Sequence, residues 1–209
     1  MKAGPLLSLF LALTVALPLR AQHRTRALAT TALAGQRVAI LPLTLVAADP
    51  ALESGSALPA TYHDRRATLL WADSLIGEAF QARGPEVSWV LPRELRKLAR
   101  RSPGIVTDPD QMGQALLRSE RIKEVPDPLR AELRNLMALA GGRMALVPAA
   151  LGFAREGDRG VRADLSLVLA DSRSGKVLWR TLASGSGATP DEALRAALAA
   201  VLPAGTSGP

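Results

Sequence analysis

Apolar residues occupy every second position from Val161 to Leu169, and polar residues alternate with them as far as Ser166, which makes this the most regular pattern in the chain. A period of two is typical of a β-strand with one buried face. The preceding run at 143–147 and the following run at 176–182 are also apolar enough for strands. The pattern therefore predicts three consecutive strands, joined by turns at residues 157–160 and 171–175.

The turn between the last two strands has a polar sequence that ends in glycine. Gly175 suits the left-handed position of a short hairpin loop, where a side chain would clash, so we expect a positive φ there. Asp171 is expected to bond to the backbone of its own turn. Both residues are therefore predicted to be structural.

The rest of the chain reads as strands and helices in alternation. The run at 37–46 is almost continuously apolar, which favours a central strand that ends or bulges at Pro42. Residues 47–63 read as a surface loop, because Pro50, Gly55 and Pro59 interrupt them. The remaining predicted elements are a helix at 65–83, a strand at 86–91, helices at 92–101, 112–122 and 128–140, and a last helix at 190–202.

Capping residues support several of these boundaries. Asp64, Asp127 and Thr189 stand where helix N-caps are expected, and Pro92 stands at a first helical position. The element order is β-α-β-α-α-β-β-β-α. We therefore predict the α/β class, with a single domain in which helices pack on a mixed β-sheet.

The N-terminus resembles a secretory signal. Lys2 precedes an apolar run from Leu6 to Leu17, and Ala21 offers a small residue for cleavage. The run is shorter than the roughly 20 residues that span a bilayer. We expect a signal peptide at 1–21, a flexible leader at 22–36, the α/β domain at 37–203 and a loose tail at 204–209.

Composition narrows the location and the partners. The chain has no cysteine, which excludes disulfides, and we expect a periplasmic protein without a bacterial lipid anchor. The net charge is +7, and about +5 remains after the predicted signal with Lys2 and Arg20 is removed. A positive balance favours an acidic envelope protein or an anionic membrane surface, and export makes nucleic acid an unsuitable partner.

The best candidate for such a contact is the predicted helix at 92–101, which we expect to show five basic side chains outward. The alternative is an ordinary solvated helix face without a binding role. The five residues of this basic face are Arg93, Arg96, Lys97, Arg100 and Arg101.

Residues for catalysis or for a metal are not arranged in known motifs. His23 and His63 stand in presumed loops without other ligands at metal spacing, and no glycine-rich phosphate loop follows a strand. Ser186 does not fit a nucleophile elbow, because Ser184 stands two residues before it where that motif has glycine, and no histidine lies downstream. Trp89 and Trp179 stand in apolar elements, as does Trp71, and are expected in the core. We predict no enzyme, no cofactor and no metal site.

Several stretches resemble the exported α/β domain shared by the TolB amino-terminal domain and the curli secretion subunit CsgG. The hairpin at 165–179, with Ser174-Gly175-Lys176 in its turn, carries most of this resemblance. The other matching stretches are the opening strand at 37–43, the strand–helix junction at 89–95 and the helix–strand junction at 139–147. The resemblance covers most of residues 36–202 and implies a role in envelope assembly or scaffolding without catalysis.

The sequence therefore favours a non-catalytic exported envelope protein with a binding or scaffolding role at the periplasmic side of the outer membrane. Two alternatives stay open at this stage. One is a periplasmic ligand-binding protein or hydrolase with an unrecognised site, and the other is a subunit of a secretion channel.

Overall fold

A computed structural model describes residues 25–53, 62, 64–157 and 160–203. Within them lie six strands and five α-helices. The strands are β1 (Arg37–Ile40), β2 (Val46–Ala48), β3 (Ser88–Val90), β4 (Met144–Glu156), β5 (Gly160–Asp171) and β6 (Val177–Gly187). The helices are α1 (Pro50–Glu53), α2 (Arg65–Arg83), α3 (Pro92–Arg101), α4 (Leu129–Ala140) and α5 (Pro190–Val201), with 3₁₀ helices at Thr30–Leu33 and Gln114–Arg118.

The strands form one open mixed sheet in the order β3-β1-β4-β5-β6, and β2 pairs with the far part of β4. β1 is parallel to both β3 and β4, whereas β5 is antiparallel to its two neighbours, β4 and β6. The predicted single α/β domain with a mixed sheet is confirmed.

Helices cover both faces of the sheet, and this explains why β1 is apolar on every side. Val38 and Ile40 pack into the core beneath α2 and α5, whereas Ala39 and Leu41 pack into the core beneath α3 and α4. The continuous apolar run of the first strand is therefore the signature of a strand buried on both faces.

Local chemistry places the helix ends. The Asp64 carboxylate accepts hydrogen bonds from the backbone N–H groups of Arg66 (2.8 Å) and Ala67 (3.1 Å), which confirms its predicted role as N-cap of α2. Thr189 likewise accepts from the Glu192 N–H, and prolines occupy the first turns of α3 and α5.

The predicted strand at 37–46 is shorter in the structure. β1 ends at Ile40, and the chain resumes strand geometry at β2 after Pro42, which has no N–H to donate to a ladder. The interval from 47 that we expected to be loop contains the end of β2 and the short helix α1.

Two expectations in the middle of the chain are wrong. The predicted helix at 112–122 is only the 3₁₀ helix Gln114–Arg118, which follows Gly113 in a left-handed conformation with φ of 74°. Asp127 does not cap α4, because the N-cap position falls on Pro128 and carries no side-chain hydrogen bond. Helical spacing of apolar residues alone was not enough to set these boundaries.

The tryptophans lie as expected. Trp89 and Trp179 are buried, and Trp71 packs against the same core. Residues 25–36, predicted as part of a flexible leader, contribute Leu28 and Leu33 to that core. The predicted signal at 1–21, the tail at 204–209, and His23 and His63 lie outside the described residues. Among the helices that the structure describes, none has the length and hydropathy to cross a bilayer.

Candidate functional site: a cleft between α2 and α3

The topology creates a crevice at the carboxyl ends of β1 and β3. The chain leaves β1 toward α2 on one face of the sheet, and it leaves β3 toward α3 on the other face. In open α/β sheets, ligands bind in such a crevice, where neighbouring connections diverge to opposite faces. We call this crevice the α2–α3 cleft.

The α2–α3 cleft has a volume of about 650 Å³. The segment after β1 forms its floor with Leu43 and Thr44, and residues 106–111 close one side. The two helices supply the facing walls. The wall residues are Arg65, Arg66, Leu69 and Leu70 from α2 and Arg96, Ala99 and Arg100 from α3.

A buried ion pair joins the two helices beneath the cleft. Asp73 of α2, with 5% of its side chain exposed, accepts hydrogen bonds from the Leu43 N–H (2.7 Å) and from Arg96 Nη2 (2.5 Å). Arg96 also donates to the Asp110 carboxylate at 2.7 to 3.0 Å. A single guanidinium thus holds α2, α3 and the 106–111 segment together.

This geometry corrects one residue of the predicted basic face. Arg96 was expected to point outward, but only 13% of its side chain is exposed, because two carboxylates on neighbouring elements draw it inward. This pairing could have been suspected from the sequence, because Asp73 stands among the apolar residues Leu69, Ala72 and Ile76 on one face of α2. An acid on an apolar helix face calls for a cationic partner.

The electrostatics of the pair follow from burial. Removal from water raises the pKa of Asp73 to about 6, although the Leu43 N–H and Arg96 favour the ionised form. Burial lowers the pKa of Arg96, but its hydrogen bonds to Asp110 and Asp73 outweigh that effect and raise it. Both oxygens of Asp73 are engaged, so this carboxylate serves as a structural brace of the cleft.

Gln114 positions the side of the cleft opposite the helices. Its Nε2 donates to the carbonyl oxygens of Pro42 (3.0 Å) and Pro109 (2.8 Å), and the residue is fully buried. This amide ties the segment after β1 to the segment after α3. Hydrogen bonds of Gln114 therefore hold both the floor and one side wall of the cleft in place.

The cleft lining carries unpaired positive charge. The Arg65 side chain donates to the Thr44 carbonyl (2.8 Å), and among the described residues it has no carboxylate partner. The side chains of Arg66 and Arg100 form no hydrogen bond or ion pair with any described residue. Asp110 is engaged by Arg96, so Asp108 is the one lining carboxylate without an ion pair among the described residues. Three unpaired cations against one unpaired acid make the opening attractive to anions.

The other four basic residues of α3 differ in which space they line. Arg100 faces the α2–α3 cleft, whereas Arg93 lines a smaller hollow of about 200 Å³ beside Ser74 and Gln81 of α2. Lys97 and Arg101 are exposed and line neither space. Of the five residues, therefore, Arg96 and Arg100 line the α2–α3 cleft.

The hairpin turn at 171–175 is structural. Asp171 accepts hydrogen bonds from the N–H groups of Arg173 and Ser174 and pairs with the Arg143 guanidinium, which holds the pKa of Asp171 well below its usual range. Gly175 has a φ of 76°, the positive value expected from its place in the turn. In the described part of the chain, no three histidine, aspartate or glutamate side chains are grouped as metal ligands.

Comparison with known proteins gives matches only among solved structures. No protein-family model matches the chain, and no curated protein matches it. An NMR structure of LpoB from E. coli covers 88% of this chain and 78% of its own, with 14% identity and a TM-score of 0.39. The PelC dodecamer from Paraburkholderia phytofirmans covers 85% of this chain and 92% of its own, with 13% identity and a TM-score of 0.38.

A third match is the lipoprotein GNA1162 from Neisseria meningitidis, with 14% identity, a TM-score of 0.35, and coverage of 73% of this chain and 79% of its own. At these identities and TM-scores we transfer no residue role and no activity from these proteins. The resemblance to TolB and CsgG stays a prediction from the sequence.

Proposed function

We propose that this protein is a non-catalytic, exported envelope protein that binds an acidic segment of a partner protein in the α2–α3 cleft. The observation that carries the proposal is the set of unpaired arginines around the opening of a cleft whose own buried charges are already satisfied. Arg65, Arg66 and Arg100 supply the attraction, and the brace of Asp73 and Arg96 holds the walls in place.

The position of Arg65 and Arg66 supports this proposal. They stand in the first turn of α2, which contains no acidic residue. The N-terminal end of a helix is already positive, and each cation there costs a few tenths of a kcal/mol or more. Asp64 offsets part of this charge as the N-cap. Two cations at this end of the helix therefore make the opening of the cleft more positive.

Apolar side chains beside these cations favour a peptide over a simple anion. Leu70 is 43% exposed although it is a large apolar residue, and it borders both the cleft and the smaller hollow next to it. Leu69 and Val106 also line the cleft. A partner segment that combines acidic side chains with one or two apolar ones would complement this surface.

Placement in the envelope rests on the predicted signal peptide and on the sequence resemblance to TolB and CsgG. The proposed role is binding or scaffolding. Both oxygens of Asp73, the buried carboxylate at the cleft, accept hydrogen bonds, and this favours a structural role over acid–base chemistry.

A photo-crosslinking residue at position 70, introduced in the native organism, tests the proposal. We expect a protein adduct that disappears in the double variant Arg66→Gln/Arg100→Gln, because two of the three unpaired cations of the cleft are lost. The matched control is Lys97→Gln/Arg101→Gln, which removes the same charge from exposed positions outside the cleft and should keep the adduct.

A second control places the crosslinker at position 178, where Leu178 is exposed on β6. The proposal fails if the adduct from position 70 is equally strong in both double variants, or if position 178 yields the same adduct. An adduct with lipid in place of protein would contradict the peptide partner and point to the membrane surface.

A further inference from the structure

A second candidate site lies on the opposite half of the molecule, on the face of β5 and β6 that is turned away from α5. On one side of β5, Val168 and Ala170 lie in the core beneath α4. The same side continues with Ser166, Asp164 and Arg162, because alternate residues of a strand share a face. The strand thus passes from covered core to an open polar surface.

A pocket of about 440 Å³ occupies this transition. Ser166 and Asp164 of β5 and Arg180 of β6 form its base, and Arg26, Arg118 and Glu120 stand around it. Ala150 and Leu182 add an apolar part to the lining. The volume is within the range of roughly 300–1,000 Å³ that is usual for small-molecule sites.

The walls of this pocket are held by internal hydrogen bonds. The Arg180 guanidinium donates to the carbonyl oxygens of Leu117 (2.6 Å), Ser119 (2.5 Å) and Ile122 (2.8 Å), which fixes that segment above the sheet. The Asp164 carboxylate accepts from Ser184 Oγ (2.6 Å) and Arg162 Nε (3.1 Å). A pocket with such supports does not need to be ordered by its ligand.

Three polar groups at the pocket keep hydrogen-bonding capacity for a ligand. Ser166 is only 7% exposed, and its hydroxyl forms no hydrogen bond with any described residue although it lines the pocket. Arg118 donates only to the Ala115 carbonyl, and the Arg26 side chain has no hydrogen bond or ion pair among the described residues. Because Ser166 lines the pocket, its hydroxyl is available to donate to a ligand and to accept from it.

We propose that this pocket binds an anionic saccharide, meaning a sugar that carries a carboxylate or a phosphate. Sugar hydroxyls both donate and accept, which matches a base that offers the Ser166 hydroxyl and the Asp164 carboxylate side by side. The guanidinium groups of Arg26 and Arg118 would bind the anionic substituent, for which arginine has the favoured geometry. The apolar lining would contact the C–H face of the ring.

This assignment is independent of the α2–α3 cleft, since the two sites share no lining residue. The test is an NMR titration of the purified protein, in which binding is monitored through the amide chemical shifts of β5 and β6. The probes are glucuronate, glucose 6-phosphate, glucose and inorganic phosphate. We expect at least one of the two charged sugars to bind about tenfold or more tightly than glucose and inorganic phosphate, because only a charged sugar can contact the arginines and the polar base of the pocket together.

The two charged sugars distinguish a carboxylate source from a phosphate source, and binding of either one supports the proposal. Equal affinity for glucose and the charged sugars would overturn it, as would equal affinity for inorganic phosphate. Absence of shifts with every probe would also overturn it.

Substitutions of residues that line the pocket test whether the charged sugar binds there. Ser166→Ala and Arg118→Gln should each weaken the charged sugar about tenfold, and neither removes a contact that holds the sheet. The matched controls are Ser88→Ala on the opposite edge strand and Arg121→Gln outside the pocket, which should bind as the native protein does. If Arg118→Gln retains its melting temperature and full affinity, the pocket is not the site.

Discussion

A single buried carboxylate, Asp73, determines how the two helices of the α2–α3 cleft meet. It contacts the backbone after β1 and the guanidinium of Arg96, so three elements depend on it. Burial of an ion pair is weak evidence for stability, because desolvation opposes the attraction, but loss of one partner leaves an uncompensated buried charge. The pair therefore acts as a positioning device more than as a source of stability.

At the residue scale we predict a specific pH dependence. Burial raises the pKa of Asp73 from 3.8 to about 6, so between these values the folded chain binds a proton that the unfolded chain releases. This group therefore adds stability as the pH falls through that window and subtracts it as the pH rises. From pH 7 to pH 4.5 the native protein should gain about 2 kcal/mol of unfolding free energy relative to Asp73→Asn.

Urea denaturation at the two pH values measures this difference. The Asp110→Asn variant is the control, since Asp110 is 42% exposed and its removal leaves Asp73 buried with Arg96. Asp171 does not interfere, because Arg143 holds its pKa below the ordinary value and its contribution is lost only at lower pH. A pH dependence in Asp73→Asn equal to that of the native protein would contradict the assignment.

At the scale of elements, the contact between α5 and β6 is the closest approach of a helix to the sheet through a glycine. A Cβ built on Gly185 would lie 2.1 Å from Ala197 N and 2.5 Å from Ala193 O, both backbone atoms of α5. Backbone atoms cannot rotate away as a side chain can. The small residues of this helix and this strand therefore set the distance between the two elements.

We predict that Gly185→Ala forces α5 away from the sheet and lowers the unfolding free energy by about 3 kcal/mol, the upper range for overpacking. Gly152→Ala is the matched control on β4, since the nearest atom to its added Cβ would be 3.9 Å away. That variant should lose less than about 1 kcal/mol. Thermal unfolding of both proteins checks the prediction, and equal losses would show that α5 does not pack as closely as described.

At the scale of the whole molecule, the start of the described chain is tied to its last strand and last helix. The Arg26 N–H donates to Thr181 Oγ1 (2.8 Å), and the Leu28 N–H donates to the Val201 carbonyl (2.9 Å). Trp179 Nε1 donates to the Ala27 carbonyl (3.1 Å). Processing of the N-terminus therefore has to spare residues 25–28 if the fold is to keep these contacts.

We predict that the mature protein begins near Gln22, because the apolar run at 6–17 is short and Ala21 is a small residue before the contacts begin. The intact mass of the protein isolated from the envelope determines at which residue the mature chain begins. Cleavage at Gln22 leaves all three contacts in place. A mass that still includes residues 1–21 would show that this segment is retained as an anchor.

Local sequence patterns predicted most of the fold. The alternation in β5, the capping by Asp64 and Thr189 and the glycine at 175 all act within a few residues, so they could be recognised without knowledge of the partners. The predictions failed where the pattern was weak. The segment at 112–122 has helical spacing of apolar residues, but contacts of Leu117 and Gln114 with other elements decide its conformation.

The amino-acid sequence by itself determined the class of the fold, the order of most elements, the turn at 171–175 and the overall positive charge. These follow from hydrophobic periodicity, capping and composition, which are properties of neighbouring residues. Only the tertiary structure decided which charges are free. Arg96 and Arg100 stand four residues apart on one helix. Asp73 and Asp110, which are distant in sequence, form ion pairs with Arg96, whereas neither of them pairs with Arg100. Coulomb attraction and desolvation depend on distance and burial in space, so no local pattern could have separated these two arginines.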